Sequence, residues 1–125
     1  MASTIGKSLI TAFLIIVNPA INQSPTANAG PDQTITLPTS TVTLTGSGTD
    51  PDGTITTYQW TQVSGPSVAV IESSFSSTTN VSNLLSAGTY TFRLTVTDNN
   101  NATATDNVNI IVQPGSTPIT WLSFS

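Results

Sequence analysis

The sequence predicts an all-β fold, a sandwich of about seven short strands. Three observations carry this expectation. Apolar residues recur with a period of two through most of the chain, the intervening segments are built from turn residues, and no stretch between residues 22 and 113 has helical periodicity. With 125 residues there is material for one domain and little for a second.

The strands follow from the alternation. Ile35 and Leu37 alternate with threonines, and Val42 and Leu44 with Thr41, Thr43 and Thr45. Tyr58, Trp60 and Gln62 share one face of the next run. In a later run Tyr90, Phe92, Leu94 and Val96 lie on one face, with Thr91, Arg93, Thr95 and Thr97 opposite. Ala102, Ala104, Val108, Ile110 and Val112 form the last series. Side chains alternate across a strand, so each pattern implies an antiparallel strand with one buried face. The spacers Gly30-Pro31-Asp32, Asp50-Pro51-Asp52-Gly53, Ser64-Gly65-Pro66, Ala87-Gly88 and Asp98-Asn99-Asn100-Asn101 are turn chemistry. Trp60 is expected in the core rather than as an exposed platform for a sugar. The outward threonine rows are ordinary exposed strand formers; twist denies them the flat lattice that ice binding needs.

Composition excludes several functions. There is no histidine and no cysteine, so the commonest general base, disulfides and thiolate metal sites are all absent. Sixteen serines without a histidine form no Ser-His-Asp arrangement. Asp50 and Asp52 sit on one turn and cannot face each other across a cleft, as a glycosidase requires. Two basic residues against six carboxylates cannot neutralise a row of phosphates, so nucleic acid is not an expected partner. Serine and threonine make up about a third of the chain, and charge is scarce, which suits an extracellular or cell-surface protein. Low charge also weakens self-repulsion and eases assembly.

Several spaced motifs agree with one family. Ala27-Asn28-Ala29-Gly30-Pro31-Asp32-Gln33 is followed by Gly46-Ser47-Gly48-Thr49-Asp50-Pro51-Asp52-Gly53, then Tyr58-Gln59-Trp60-Thr61-Gln62-Val63-Ser64-Gly65, then Leu85-Ser86-Ala87-Gly88-Thr89-Tyr90-Thr91-Phe92-Arg93-Leu94-Thr95-Val96-Thr97-Asp98. In this order residues 22 to 113 resemble a PKD (polycystic kidney disease) domain. The resemblance implies an immunoglobulin-like Greek-key sandwich in an extracellular protein, and Tyr90 matches the tyrosine-corner signature of such sandwiches. The domain is assigned to residues 22–114.

Calcium is the expected cofactor. Asp50-Pro51-Asp52-Gly53 places two carboxylates two apart in a tight loop, where their oxygens can converge on a hard cation. The family resemblance adds a set: some PKD domains bind calcium through a linker asparagine, a loop aspartate and the aspartate closing a later strand. Carried over, these are Asn22, Asp50 or Asp52, and Asp98. The competing reading is turn initiation, since aspartates before Pro and Gly accept backbone N–H bonds.

Two hydrophobic ends flank the domain. Residues 1–21 contain Ser8 to Val17, apolar between Lys7 and Asn18-Pro19 and too short to span a bilayer as a helix. It reads as a signal-peptide core, as a strand buried on both faces, or as the end of a preceding repeat. The last reading has internal support: Ile15-Ile16-Val17-Asn18-Pro19 nearly copies Ile110-Ile111-Val112-Gln113-Pro114, 95 residues later. An apolar strand needs a partner, and another molecule's sheet edge can supply one. The assembly residues are then Leu9, Ile10, Phe13, Leu14, Ile15, Ile16 and Val17. Residues 115–125 form a tail whose Ile119, Trp121, Leu122 and Phe124 suit docking; it resembles the linker that precedes a C-terminal sorting domain in proteins secreted by gliding-type bacteria.

These readings converge on a non-catalytic structural or adhesive module that self-associates or links neighbouring repeats. Two alternatives remain: a subunit of a surface filament or virion decoration protein assembled by strand donation, and an accessory spacer or carbohydrate-binding module of a secreted polysaccharide-degrading enzyme.

Overall fold

A computed structural model describes residues 21–116. Nine strands run in order: β1 (Thr26–Asn28), β2 (Gln33–Thr36), β3 (Val42–Thr45), β4 (Ser47–Thr49), β5 (Ile55–Ser64), β6 (Val70–Ile71), β7 (Thr78–Ser82), β8 (Gly88–Asp98) and β9 (Thr103–Gln113). They form a four-stranded sheet β2-β9-β8-β5, a three-stranded sheet β3-β7-β6 and a two-stranded pair β1-β4. Among the described residues no helix is long and apolar enough to cross a membrane.

The alternating patterns become the core. Tyr90, Phe92, Leu94 and Val96 of β8 are buried with Val108, Ile110 and Val112 of β9. Leu44 and Val42 of β3 and Val81 of β7 close over them from the other sheet, with Leu84 beside them. Trp60 lies in this layer, as its alternation with polar neighbours predicts, and its indole N–H donates to the Ser77 carbonyl at 3.2 Å. Gly46, between β3 and β4, lies tight against the core. A Cβ there would lie 2.6 Å from Leu94 Cδ2 and 2.7 Å from Trp60 Cζ2. Only a residue without a side chain fits between the ring and β8.

Two features depart from the alternation. β2 pairs with β9 in parallel, Gln33 opposite Ile110 through Thr36 opposite Gln113, where alternation implied antiparallel strands throughout. Alternation reports which face is buried and carries no direction, and β2 arrives after β1 has crossed the sandwich. The short strands β1, β4, β6 and β7 were also not marked by the apolar pattern. β6 has two residues and β1 and β4 three each, too few for a period of two to register, and β7 has five with Val81 as its one apolar residue.

Side chains close the ends of the sandwich. The Tyr90 hydroxyl donates to the Ser86 carbonyl at 3.0 Å, four residues upstream, which is the tyrosine corner. On the open side between the sheets, Gln62 Oε1 accepts from Ala69 N at 2.8 Å and its Nε2 donates to the Ser67 carbonyl at 2.8 Å. The proposed assembly residues Leu9, Ile10, Phe13, Leu14, Ile15, Ile16 and Val17, and the docking residues Ile119, Trp121, Leu122 and Phe124, lie outside the described residues.

Candidate functional site: the acidic N-terminal end

The chain begins its sandwich at the end where β8 stops and β9 starts. Two loops converge there: Asp50-Pro51-Asp52-Gly53 between β4 and β5, and Asn99-Asn100-Asn101 between β8 and β9. Antiparallel pairing of β5 with β8, Ile55 opposite Asp98, brings them together. The positions named from the sequence, Asn22, Asp50, Asp52 and Asp98, fall at this one end.

Asp98 is fully buried and fully used. Its Oδ1 accepts from the backbone N–H groups of Asn100 (2.8 Å) and Ala102 (2.9 Å). Its Oδ2 accepts from Asn22 Nδ2 at 2.8 Å. The Asn22 amide, helped by these two backbone donors against the effect of burial, holds the Asp98 carboxyl below the ordinary aspartate range. Asn22 is gripped from its other side too, its Oδ1 accepting from Asn100 Nδ2 at 2.8 Å. The next residue is tied to the other loop, Gln23 N donating to Asp52 Oδ2 at 2.9 Å. Two consecutive residues of the N-terminal linker are thus fastened to two different loops.

Asp50 is the exception. Its Oδ2 is buried with no hydrogen-bond partner. Burial pushes its carboxyl above the ordinary range, reinforced by the closeness of the Asp52 carboxyl and by the charges of Asp52 and Asp98. Gly53 permits the tight approach: a Cβ there would meet Asn99 Oδ1 and stand 2.7 Å from Asp50 Oδ2. Among the described residues no three acidic groups stand close enough to form a ready-made metal cage. What the end offers is a cluster of carboxylate oxygens, one of which, Asp50 Oδ2, has no partner, with the Asn22 amide presenting its nitrogen to Asp98.

Asn99 and Asn100 also belong here, Asn99 Oδ1 accepting from Thr54 N at 3.1 Å. Sequence reasoning took the Asn99-Asn100-Asn101 run only as a turn; the run of asparagines behind a strand-closing aspartate was the available signal. The remaining aspartates cap backbone. Asp32 Oδ1 accepts from Asn109 N at 2.9 Å and Asp106 Oδ2 from Ala29 N at 2.8 Å.

Sheet order, buried tryptophan and tyrosine corner define a sandwich of the PKD type, immunoglobulin-like in architecture. The family model described as "K319L-like, PKD domain" matches residues 29–112, and the chain belongs to that family. The mouse Dyslexia-associated protein KIAA0319-like protein is 38% identical over 113 residues, 90% of this chain and 11% of that protein. The solution structure of the PKD domain from KIAA 1837 protein superposes with a TM-score of 0.67 at 38% identity, covering 82% of this chain and 99% of that one. The solution structure of the PKD domain from human KIAA0319 gives a TM-score of 0.65 at 30% identity, covering 82% and 92%. The chain spans about a tenth to a fifth of the length of the curated relatives it matches.

Proposed function

We propose that this chain is a non-catalytic extracellular spacer module that holds neighbouring units at its two ends. The observation that carries this is where the chain comes and goes. The linker is fastened beside Asp98, at the end of β8, whereas β9 starts at that end and runs eleven residues away from it. At about 3.4 Å per residue the two ends lie roughly 35 Å apart. A module entered at one pole and left at the other transmits position and tension along an array.

The N-terminal run is the contact with the preceding unit, through Leu9, Ile10, Phe13, Leu14, Ile15, Ile16 and Val17. Its likeness to residues 110–114 supports this. So does the reach of the mouse match, which leaves twelve of the 125 residues uncovered and therefore takes in at least eight of the first twenty. The likeness to that relative therefore takes in part of the N-terminal run.

Calcium fits the acidic end. The carboxylate donors are oxygen, as a hard cation prefers, and the unpartnered Asp50 oxygen is an open valence. Asn22, Asp50, Asp52 and Asp98 would hold the ion. It would offset the mutual repulsion of three carboxylates and stiffen the linker against both loops. Asn22 would turn its amide so that its oxygen, which accepts from Asn100, reaches the ion in place of the nitrogen that donates to Asp98.

Calorimetric titration with calcium chloride, alongside thermal unfolding in calcium and in chelator, tests the reading. Extracellular calcium modules bind with Kd of about 10⁻⁴ to 10⁻³ M. At ten times Kd the ion adds about 1.4 kcal/mol of stability. Asp50→Asn is expected to abolish the calcium increment while leaving a folded domain. An unchanged melting curve and no heat of binding in the parent chain would remove calcium from the account.

A further inference from the structure

The chain leaves the sandwich at a corner where exposed apolar side chains collect. Val68 is 79% exposed, Leu85 62% and Val70 50%. Val68 and Val70 are two apart on the extended stretch that leads into β6, and Ala69 between them packs against the core. Asn83 Nδ2 donates to the Val68 carbonyl at 3.1 Å, which holds the Leu84-Leu85 turn beside this stretch. Asn83 has φ of 65°, a left-handed conformation that asparagine tolerates. Leu84 turns inward and is buried, leaving Leu85 outside.

The last described residues stand next to this corner. Gly115 packs so close to the Leu37 carbonyl that a Cβ on it would lie 2.5 Å from that oxygen. Leu37 N donates to the Gln113 carbonyl at 3.0 Å, and the same loop reaches the Leu84 turn, where Leu84 N donates to the Ser40 carbonyl at 3.1 Å. From the other side Val112 pairs with Gly88, and Gly88 abuts Pro66, with a Cβ there 3.0 Å from Pro66 Cγ. One loop therefore separates the outgoing chain from Leu85, and one turn separates it from the segment bearing Val68.

Residues 117–125 continue from this point, carrying Ile119, Trp121, Leu122 and Phe124 and no charge. Fully extended they reach about 30 Å, several strand widths of about 4.8 Å. We propose that residues 118–125 fold back on their own module and lay these side chains over Val68, Val70 and Leu85. The occupant is the module's own tail rather than a second copy, because the tether supplies it at an effective concentration of order mM. Burial of three aliphatic side chains that otherwise face water is the driving force. The patch and the tail match in being uncharged, so closure leaves no carboxylate or cation unpaired. The contact lies at the pole opposite the acidic end, and does not depend on calcium.

The test uses the full 125-residue chain. Trp60 is buried and reports a constant signal, so a change in tryptophan emission follows Trp121. Val68→Ser with Leu85→Ser touches exposed positions and leaves the core intact, which the melting temperature checks. The expected result is a shift of emission to longer wavelength in this double variant. The reciprocal variant Trp121→Ser with Phe124→Ser is expected to speed amide exchange about tenfold in residues 66–72 and 83–87, with the remaining strands unaffected. Unaltered emission and unaltered exchange would overturn the proposal. So would protection that disappears on dilution of the parent chain, which would assign the patch to a second molecule.

Discussion

Tyr90 shows how one hydroxyl organises a corner. Its oxygen donates to the Ser86 carbonyl, accepts weakly from Ser86 N at 3.3 Å and shares a hydrogen bond with Ser67 Oγ at 2.9 Å. Tyr90→Phe keeps the ring and strands these partners, so it is expected to cost about 1 kcal/mol in urea unfolding with the m-value unchanged. The two loop aspartates pull in opposite directions with pH. The folded state holds Asp98 below its ordinary range, so its contribution is present above the unfolded value of about 3.9 and is lost as pH falls through the lower folded value. Asp50 is raised, so its contribution is complete below about 3.9 and is lost as pH rises through the higher folded value. In chelator, Asp98→Asn is therefore expected to lower the melting temperature at pH 7 and to have a smaller effect once the parent is acidified below the lowered folded value. Asp50→Asn is expected to raise the melting temperature at pH 7 in chelator. A loss of stability at pH 7 in Asp50→Asn without calcium would contradict the assigned repulsion.

At the scale of elements, legibility follows apolar alternation: β2 and β3 have four residues each and carry it, whereas β7 has five with Val81 as its one apolar residue. β8 and β9 have eleven residues each and β5 has ten, enough alternation for the buried face to be read directly. β1 and β4 are held by three paired residues each, Thr26–Asn28 against Ser47–Thr49, and their place depends on Gly46 letting the chain step from one pairing to the next. The parallel pairing of β2 and β9 is a property of the path between strands, which no local pattern encodes. The N-terminal run makes the sharpest element-level prediction. A charge in a strand buried on both faces costs several kcal/mol or expels the strand. Ile15→Asp, or deletion of residues 8–17, is expected to abolish assembly seen by light scattering while the sandwich still unfolds cooperatively. Assembly that survives either change would move the contact to another surface.

At the scale of the molecule, the four-stranded sheet supplies a stiff long axis and each pole carries its own chemistry, acidic at one and apolar at the other. A continuous core lies within residues 21–116, and the solved PKD domain from KIAA 1837 protein is matched over 99% of its own length. Residues 21–116 alone are accordingly expected to unfold in a single two-state transition, with urea and thermal probes coinciding. Separate transitions would show that the flanking residues complete the core.

The sequence by itself determined the all-β class, the inward faces of the long strands, the burial of Trp60, the corner at Tyr90 and the exclusion of histidine or cysteine chemistry. Each is a matter of residue type or of period two, which are local properties of the chain. The family resemblance grouped Asn22, Asp50 or Asp52, and Asp98. Only the tertiary structure decided that Asn22 clasps Asp98 from 76 residues away, that Gln23 is held by Asp52, and that one oxygen of Asp50 is left without a partner. It alone also decided that the chain leaves beside the Leu37 loop, which also reaches the Leu84 turn. These depend on which loops the sheet order places at each pole, and on burial that only packing from distant segments creates.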